Sequence, residues 1–235
     1  MTVELASHQL PARHVLIGVA GSIASVTVPQ SILWLRHELG VDVRAVMTRQ
    51  ATTMVTPRAL AVASGAAVAL DDTGEPGDHN DPTVRHMELT RWADLMLVLP
   101  ASANLLAKAA QGIADDLLTT CIIASSCPVV FVPGMNEIMW RKPAVQRNVA
   151  TLQADGYGVV EPVEGLALSD GRPTVGAMPE IEEIVAWAAR FLEERRRASA
   201  PLSSDLLSRQ PVDLSTSQAA DLLTNQPLNV PEHAR

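Results

Sequence analysis

The sequence predicts an α/β domain: a doubly wound parallel sheet with helices on both faces, a three-layer sandwich. Short apolar runs recur along the chain, helical apolar patterns fall between them, and several runs end in glycine or proline. Parallel strands buried on both faces read as near-continuous apolar runs, and each return to the same edge needs a crossover, usually a helix.

Taken in order, HVLIGVA (His14–Ala20) reads as the first strand and leads into glycine and serine. A helix follows, because Val28, Ile32, Leu35 and Leu39 recur at helical spacing. Pro29 within it predicts a bent first turn or a late helix start. VDVRAVMT (Val41–Thr48) alternates as a second strand, and DLMLVLP (Asp94–Pro100) and PVVFVP (Pro128–Pro133) are buried strands closed by proline. Ala103–Gly112 and Asp116–Ser126 read as helices, and YGVVEP (Tyr157–Pro162) as the last strand. Pro179–Arg197 is a final helix with an apolar stripe of Ile181, Ile184, Val185, Ala188 and Leu192, and its acidic start and basic end suit the helix dipole.

Two segments lack such patterns. Asp71–Thr83 is dense in acids and turn formers, as a surface loop is. Beyond Arg197 the chain turns rich in Ser, Gln and Pro, with apolar pairs at Leu206–Leu207 and Leu222–Leu223. The reading is therefore a domain over 13–197 and a tail over 198–235, flexible or docked on a neighbouring subunit.

The chain has 235 residues, 47% of them apolar, enough for a full core without staples. A net charge of −8 opposes a nucleic-acid surface, which needs a basic patch. Cys121 and Cys127 supply neither a disulfide framework nor a zinc set, and such usage suits a reducing compartment. The N-terminal residues lack the signal-peptide pattern, and no apolar segment reaches the ~18–20 residues of a membrane span. The expectation is a cytoplasmic protein with no metal site, no membrane partner and no nucleic-acid partner.

Four motifs carry possible chemistry. GVAGSIAS (Gly18–Ser25) follows a strand, where Gly21 lets the backbone approach a phosphate and Ser22 adds a hydroxyl. It is not GxGxxG, and no acid closes the second strand, so a mononucleotide phosphate fits better than a dinucleotide. Thr48, ending that strand, points to the same area, although a ligand-free glycine turn explains the motif as well. In PASAN (Pro100–Asn104), Ser102 and Asn104 offer the donors and acceptors that a flavin edge requires, or else serve as helix caps. Asp115 or Asp116 caps the next helix in the same way. In PGMNEIMW (Pro133–Trp140), Asn136 lies among Met135, Met139 and Trp140. A neutral amide in an apolar pocket can grip a carboxylate, and an N-cap is again the structural alternative. His86, in VRHMELTRWAD, can take a thiol or hydroxyl proton near neutrality or be purely structural. Cys121 and Cys127 read as buried, inert thiols.

In this order GxxGS, a histidine shortly ahead of Trp-Ala-Asp, PASAN and PxMNxxMW closely resemble the homo-oligomeric flavin-containing cysteine decarboxylases. That family includes phosphopantothenoylcysteine decarboxylases and the lantibiotic-type peptidyl-cysteine decarboxylases. The likeness covers about residues 13–190. It implies a flavodoxin-like, Rossmann-like domain assembled as a trimer or dodecamer, with FMN at the subunit junction. It further implies that Gly21, Ser22 and Thr48 meet the FMN phosphate and that Ser102 and Asn104 line the flavin. His86 would be the base, and Asn136 would hold the substrate carboxylate beside Met139.

The resemblance also implies a reaction: oxidation of a cysteine at Cβ, loss of its carboxylate as CO2, and an ene-thiol product. Members that make 4′-phosphopantetheine use a cysteine after PxMNxxMW to reduce that ene-thiol, and no cysteine follows Cys127 here. The peptide branch, acting on a precursor peptide with a C-terminal cysteine, therefore fits better, and Arg147–Pro162 agrees with it. Leu105 stands where threonine commonly follows PASAN, which puts one flavin contact in doubt. Glu164–Met178 would be a flap over the substrate. The alternatives are a phosphopantothenoylcysteine decarboxylase, a flavin prenyltransferase of the same fold, and a non-catalytic flavin-binding regulator.

Overall fold

Side chains alternate across a strand, and here that alternation divides one sheet between two apolar cores. In the computed structural model, which describes residues 10–70, 82–166 and 171–199, strand β1 (His14–Val19) sends Val15, Ile17 and Val19 to one face and Leu16 to the other. The first face is covered by helices α1 (Val28–Glu38), α2 (Pro57–Ser64) and α8 (Ile181–Ser199). The second is covered by α3 (Pro82–Trp92), α4 (Ala103–Ala110), α5 (Leu117–Ala124) and α7 (Pro143–Ala154).

The remaining strands are β2 (Asp42–Met47), β3 (Ala69–Leu70), β4 (Leu95–Ala101), β5 (Val129–Pro133) and β6 (Gly158–Val159). All pair in parallel in the order β3-β2-β1-β4-β5-β6. Without the two-residue β3 this is the flavodoxin-like order, and with it the Rossmann order. Strand order reverses between β1 and β4, so a crevice opens at their carboxyl ends. An antiparallel pair, β7 (Val163–Leu166) and β8 (Pro173–Ala177), and a one-turn helix α6 (Glu137–Trp140) complete the described elements.

The expected strands and helices are present, with shifted ends. Helix α1 starts late, as Pro29 requires: a 3-10 turn over Ile23–Thr27 precedes it, and the proline occupies its first turn. The predicted last strand shrinks to Gly158–Val159, and the expected flap is the β7–β8 hairpin. Pro82 and Thr83, read as loop, begin α3. Residues 71–81 of the acidic loop, 167–170 of the flap and the chain from 200 onward lie outside the described residues. The chain divides into units Met1–Arg197 and Ala198–Arg235, and the expected tail falls in the second. Among the described residues, no helix is long and apolar enough to cross a membrane, and no group of acid, histidine or cysteine side chains could hold a metal.

The Trp-Ala-Asp sequence ties β1 to β4 at their amino ends. One Asp94 carboxylate oxygen accepts from the backbone N–H groups of Arg13 and His14, both at 2.9 Å, and lies 3.2 Å from the His14 ring nitrogen Nδ1. Trp92 packs 5.0 Å from the His14 ring, and Arg44 sits 4.5 Å from the Trp92 ring centroid while reaching Glu88 at 3.1 Å. Partial burial pushes the Asp94 carboxyl up. The two N–H donors and His14 outweigh it and leave the group below the ordinary carboxylate value. Asp94→Ala should cost about 1 kcal/mol in urea unfolding at pH 7, less than a shielded charged hydrogen bond because the carboxylate is half exposed. That contribution is complete above the unfolded carboxylate value of about 3.9 and is lost as pH falls through the lowered one, so wild type and variant should converge in acid.

Both thiols belong to the second core. Burial, with Asp116 nearby, pushes Cys121 up to about 12, and burial likewise raises Cys127 despite the Ser125 hydroxyl at 3.4 Å. Neither is poised as a thiolate near neutral pH. The folded protein should resist a disulfide-exchange reagent at pH 7.5 for many times longer than the same protein in denaturant. Fast native labelling of either thiol would contradict this.

Candidate active site

Backbone and hydroxyl bonds gather three strand ends at the crevice. The Ala20 N–H donates to the Pro100 carbonyl, and the Gly134 N–H donates to the Ala101 carbonyl, both at 3.2 Å. Ser22 donates its hydroxyl proton to the Gly134 carbonyl at 2.8 Å. Buried Ser25 donates to the Ala20 carbonyl at 2.9 Å, closing the glycine loop upon itself. Two glycines lie at close quarters here. A Cβ on Gly134 would stand 3.0 Å from the Pro100 Cβ and 3.5 Å from the Ser22 hydroxyl, and one on Gly21 would run into the Gln50 side chain.

Each predicted polar residue in these loops is a helix cap. Ser22 accepts from the Ala24 N–H at 3.4 Å, and Ser102 from the Leu105 N–H at 3.3 Å. Asn136 Oδ1 accepts from the Met139 N–H at 2.9 Å. The cap reading is thus correct for Ser102 and Asn136, while Ser22 is a cap that the sequence did not mark and Asn104 lies inside α4 rather than at its cap; capping does not exhaust these side chains. Fixing Asn136 Oδ1 as acceptor turns its Nδ2 into the free end, with two N–H donors and no acceptor. The Ser102 hydroxyl keeps its proton to donate. Asp116 caps α5 with a capping box to Thr119, while Asp115 is held by Lys108 at 2.7 Å, which lowers its carboxyl.

These loops open on a cleft of about 830 Å3 lined by Gly21, Ser22, Ser102, Gly134, Asn136 and Met139. Its other wall comes from elements with no motif: Gln30, Ser31 and Trp34 of α1, Val163–Gly165 and Gly176–Ala177 of the hairpin, and Met178–Glu183 leading into α8. The hairpin is docked by the Met135 N–H, which donates to the Gly176 carbonyl at 3.2 Å. Gly176 lies so close that a Cβ there would collide with the Met135 carbonyl. The size fits a cofactor or a small-molecule substrate, for which clefts run about 300–1,000 Å3.

The cleft brings together Gly21, Ser22, Ser102, Asn136 and Met139, and leaves Thr48, Asn104 and His86 outside its lining. The Thr48 hydroxyl oxygen accepts from the Ala51 N–H at 3.2 Å and keeps its proton to donate, and Asn104 is an exposed residue of α4. His86 lies on α3, over the second core, whereas α1 and α8 of the cleft wall cover the first. The α1 and α8 contributions escaped the sequence reading because nothing local marks them. They become neighbours only when both helices pack on the same sheet face.

Comparison with known proteins agrees with this geometry. The Flavoprotein family profile matches residues 4–193. The Bacillus subtilis coenzyme A biosynthesis bifunctional protein CoaBC is 38% identical over 190 residues, which are 81% of this chain and 45% of that protein. The chain therefore spans about half the length of the curated relatives it matches. Among solved structures, the FMN-dependent cysteine decarboxylase SpaF is 42% identical with a TM-score of 0.66, covering 77% of this chain and 97% of that one. The peptidyl-cysteine decarboxylase EpiD is 27% identical with a TM-score of 0.62, covering 74% and 97%. The chain thus belongs to the Flavoprotein family, in its group of flavin-containing cysteine decarboxylases.

Proposed function

We propose that this protein binds FMN and oxidatively decarboxylates the C-terminal cysteine of a ribosomally made precursor peptide, leaving an aminoethenethiol end. The observation that carries the reading is Asn136. Its amide is oriented by its own cap bond and lines the crevice at the switch point, with Met139 beside it. Gly21, Ser22 and Ser102 line the cleft and suit the cofactor: the first two would meet the FMN phosphate and Ser102 the flavin, with Thr48 helping at the phosphate and Asn104 at the flavin from outside that lining. The Ser22 proton, donated here to the Gly134 carbonyl, would turn to such a phosphate. FMN supplies the acceptor for the hydride that leaves the cysteine Cβ.

The protein's own part is positioning and proton transfer. The Nδ2 hydrogens of Asn136 would bind the carboxylate without bringing a competing charge, and His86 would take the thiol proton. No cysteine after Cys127 is present to reduce the ene-thiol, which favours the peptide branch, and two cysteines without a disulfide framework suit a reducing, cytoplasmic setting. Because His86 covers the opposite sheet face from the cleft wall, it would serve the cleft of a neighbouring copy in a homo-oligomer, trimer or dodecamer. A second reading, decarboxylation of phosphopantothenoylcysteine, is favoured by the similarity to CoaBC.

Anaerobic mixing of the FMN-loaded protein with cysteine-terminated peptides should bleach the flavin and remove ~46 Da, CO2 plus two hydrogens, from the peptide. Turnover of 4′-phosphopantothenoylcysteine with loss of only ~44 Da, CO2 alone, would establish the second reading instead. A protein that cannot be loaded with FMN would overturn both. His86→Asn and Asn136→Asp should each retain FMN and lose turnover, the latter by repelling the substrate carboxylate. Unfolded together and reassembled in equal amounts, the two inactive variants should regain about a quarter of wild-type activity, since chance pairing joins an intact Asn136 to a neighbour's intact His86 at one site in four. No recovery from a correctly reassembled oligomer would rule out the shared site.

A further inference from the structure

Helix α3 carries His86 but has a thin apolar hold on the domain. His86, Leu89 and Thr90 share one helical face, and of the helix's described apolar side chains only Leu89 is buried. Buried Thr90 turns its hydroxyl back on the helix, donating to the His86 carbonyl at 2.8 Å. One leucine fixes a point of contact and leaves the tilt of the helix open. Orientation comes from the other half, where Arg44 of β2 reaches two successive turns. Its guanidinium lies 3.1 Å from the Glu88 carboxylate and 4.5 Å from the Trp92 ring centroid, and those two residues stand at i and i+4. The same indole packs 5.0 Å from the ring of His14 at the start of β1. Strands β1 and β2 thus grip the carboxyl-terminal half of α3, and His86 precedes Trp92 by six positions, about 9 Å along the axis. The Glu88 side chain is 67% exposed, and ion pairs of that kind add little stability, so what this clasp contributes is direction.

We infer that Arg44 is a positioning residue for the proton transfer assigned to His86: by holding Glu88 and Trp92 together it sets the direction in which α3 presents the histidine to the cleft of a neighbouring copy. The inference rests on the proposed function, in which that histidine takes the thiol proton. Arg44 pairs with Leu16 inside the sheet and lies outside the cleft lining, so it acts through the helix. Proton transfer needs the two heavy atoms within hydrogen-bond reach, and a misplacement of about 1 Å can cost about a hundredfold in rate. A planar guanidinium can lie over a ring while its edge meets a carboxylate, whereas an ammonium offers only a point charge, so lysine should serve in part.

Arg44→Met keeps the aliphatic stem and removes the charged fork. It should lower kcat by about tenfold or more and leave KM for the cysteine substrate and the Kd for FMN within about twofold. Arg44→Lys should recover part of the loss. Subunit mixing separates this effect from a general loss of structure. Unfolded and reassembled in equal amounts with Asn136→Asp, the Arg44→Met chain should give about a quarter of wild-type activity, because at one site in four an intact Asn136 meets an intact Arg44 and His86 from the other chain. Reassembled with His86→Asn it should stay at about one-twentieth or below, since every working histidine then comes from a chain without Arg44. Recovery in the second mixture, or an unchanged kcat, would overturn the inference. If the wild type turns over no cysteine substrate, the proposed function fails and geometry alone decides. Protein carrying both His86→Cys and Met139→Cys, treated with a short bismaleimide, should link neighbouring copies, and Arg44→Met should slow that linkage several-fold. Equal rates with and without Arg44 overturn the positioning role, and no linkage overturns the shared site on which it depends.

Discussion

The Ser22 hydroxyl reaches the Gly134 carbonyl across 112 residues of chain, and with the backbone bonds from Ala20 to Pro100 and from Gly134 to Ala101 it makes one unit of three strand ends. The two backbone bonds cross between neighbouring strand ends and the Ser22 bond runs from the end of β1 past β4 to that of β5, so the spacing of β1, β4 and β5 is the ruler for everything above them. A Cβ on Gly134 would press on Pro100 at this close approach. Ser102 and Asn136 then sit on a rigid frame, with each side chain turned by a cap bond to a single orientation. The cap and the ligand contact therefore do not compete. The cap uses an oxygen as acceptor and leaves hydrogen donors to face the cleft, the polarity suited to an anionic group.

The two-faced sheet also divides the labour of the site. Residues from loops at the strand ends belong to neither face, whereas helices belong to one or the other. Trp34 and the glutamates of α8 reach the cleft from the first face, and His86 stands on the second. A single copy thus holds the Asn136 amide, proposed to bind the carboxylate, apart from the histidine. The hairpin adds the remaining wall, joined to the Asn136 loop by the bond from Met135 to Gly176.

Much of this was legible beforehand, and the omissions have physical causes. Helix α2 carried a readable signal in Thr56, which caps Ala59, Pro57 in the first turn, and Gly65 at φ 70° beyond its end, but Val62 faces solvent, so no clean apolar stripe marks it. Helix α7 showed Pro143 at its start and Val145, Val149 and Leu152 at helical spacing. Strand β3 has two residues, too few for any period. In β7 and β8, glycine and proline break the alternation that marks a strand, and their pairing depends on each other rather than on a buried face.

The sequence by itself determined the α/β class, the core strands, the late start of α1, the inert thiols and the motifs at the strand ends, because periodicity, caps and proline act over a few residues. It also carried the family resemblance, since those motifs keep their order along the chain. Only the tertiary structure decided that Ser22, Ser102 and Asn136 share one cleft, that Gln30, Trp34 and four glutamates complete its lining, and that His86 lies elsewhere. Those outcomes depend on which sheet face each helix covers and on contacts between residues far apart in the chain, which no local pattern encodes.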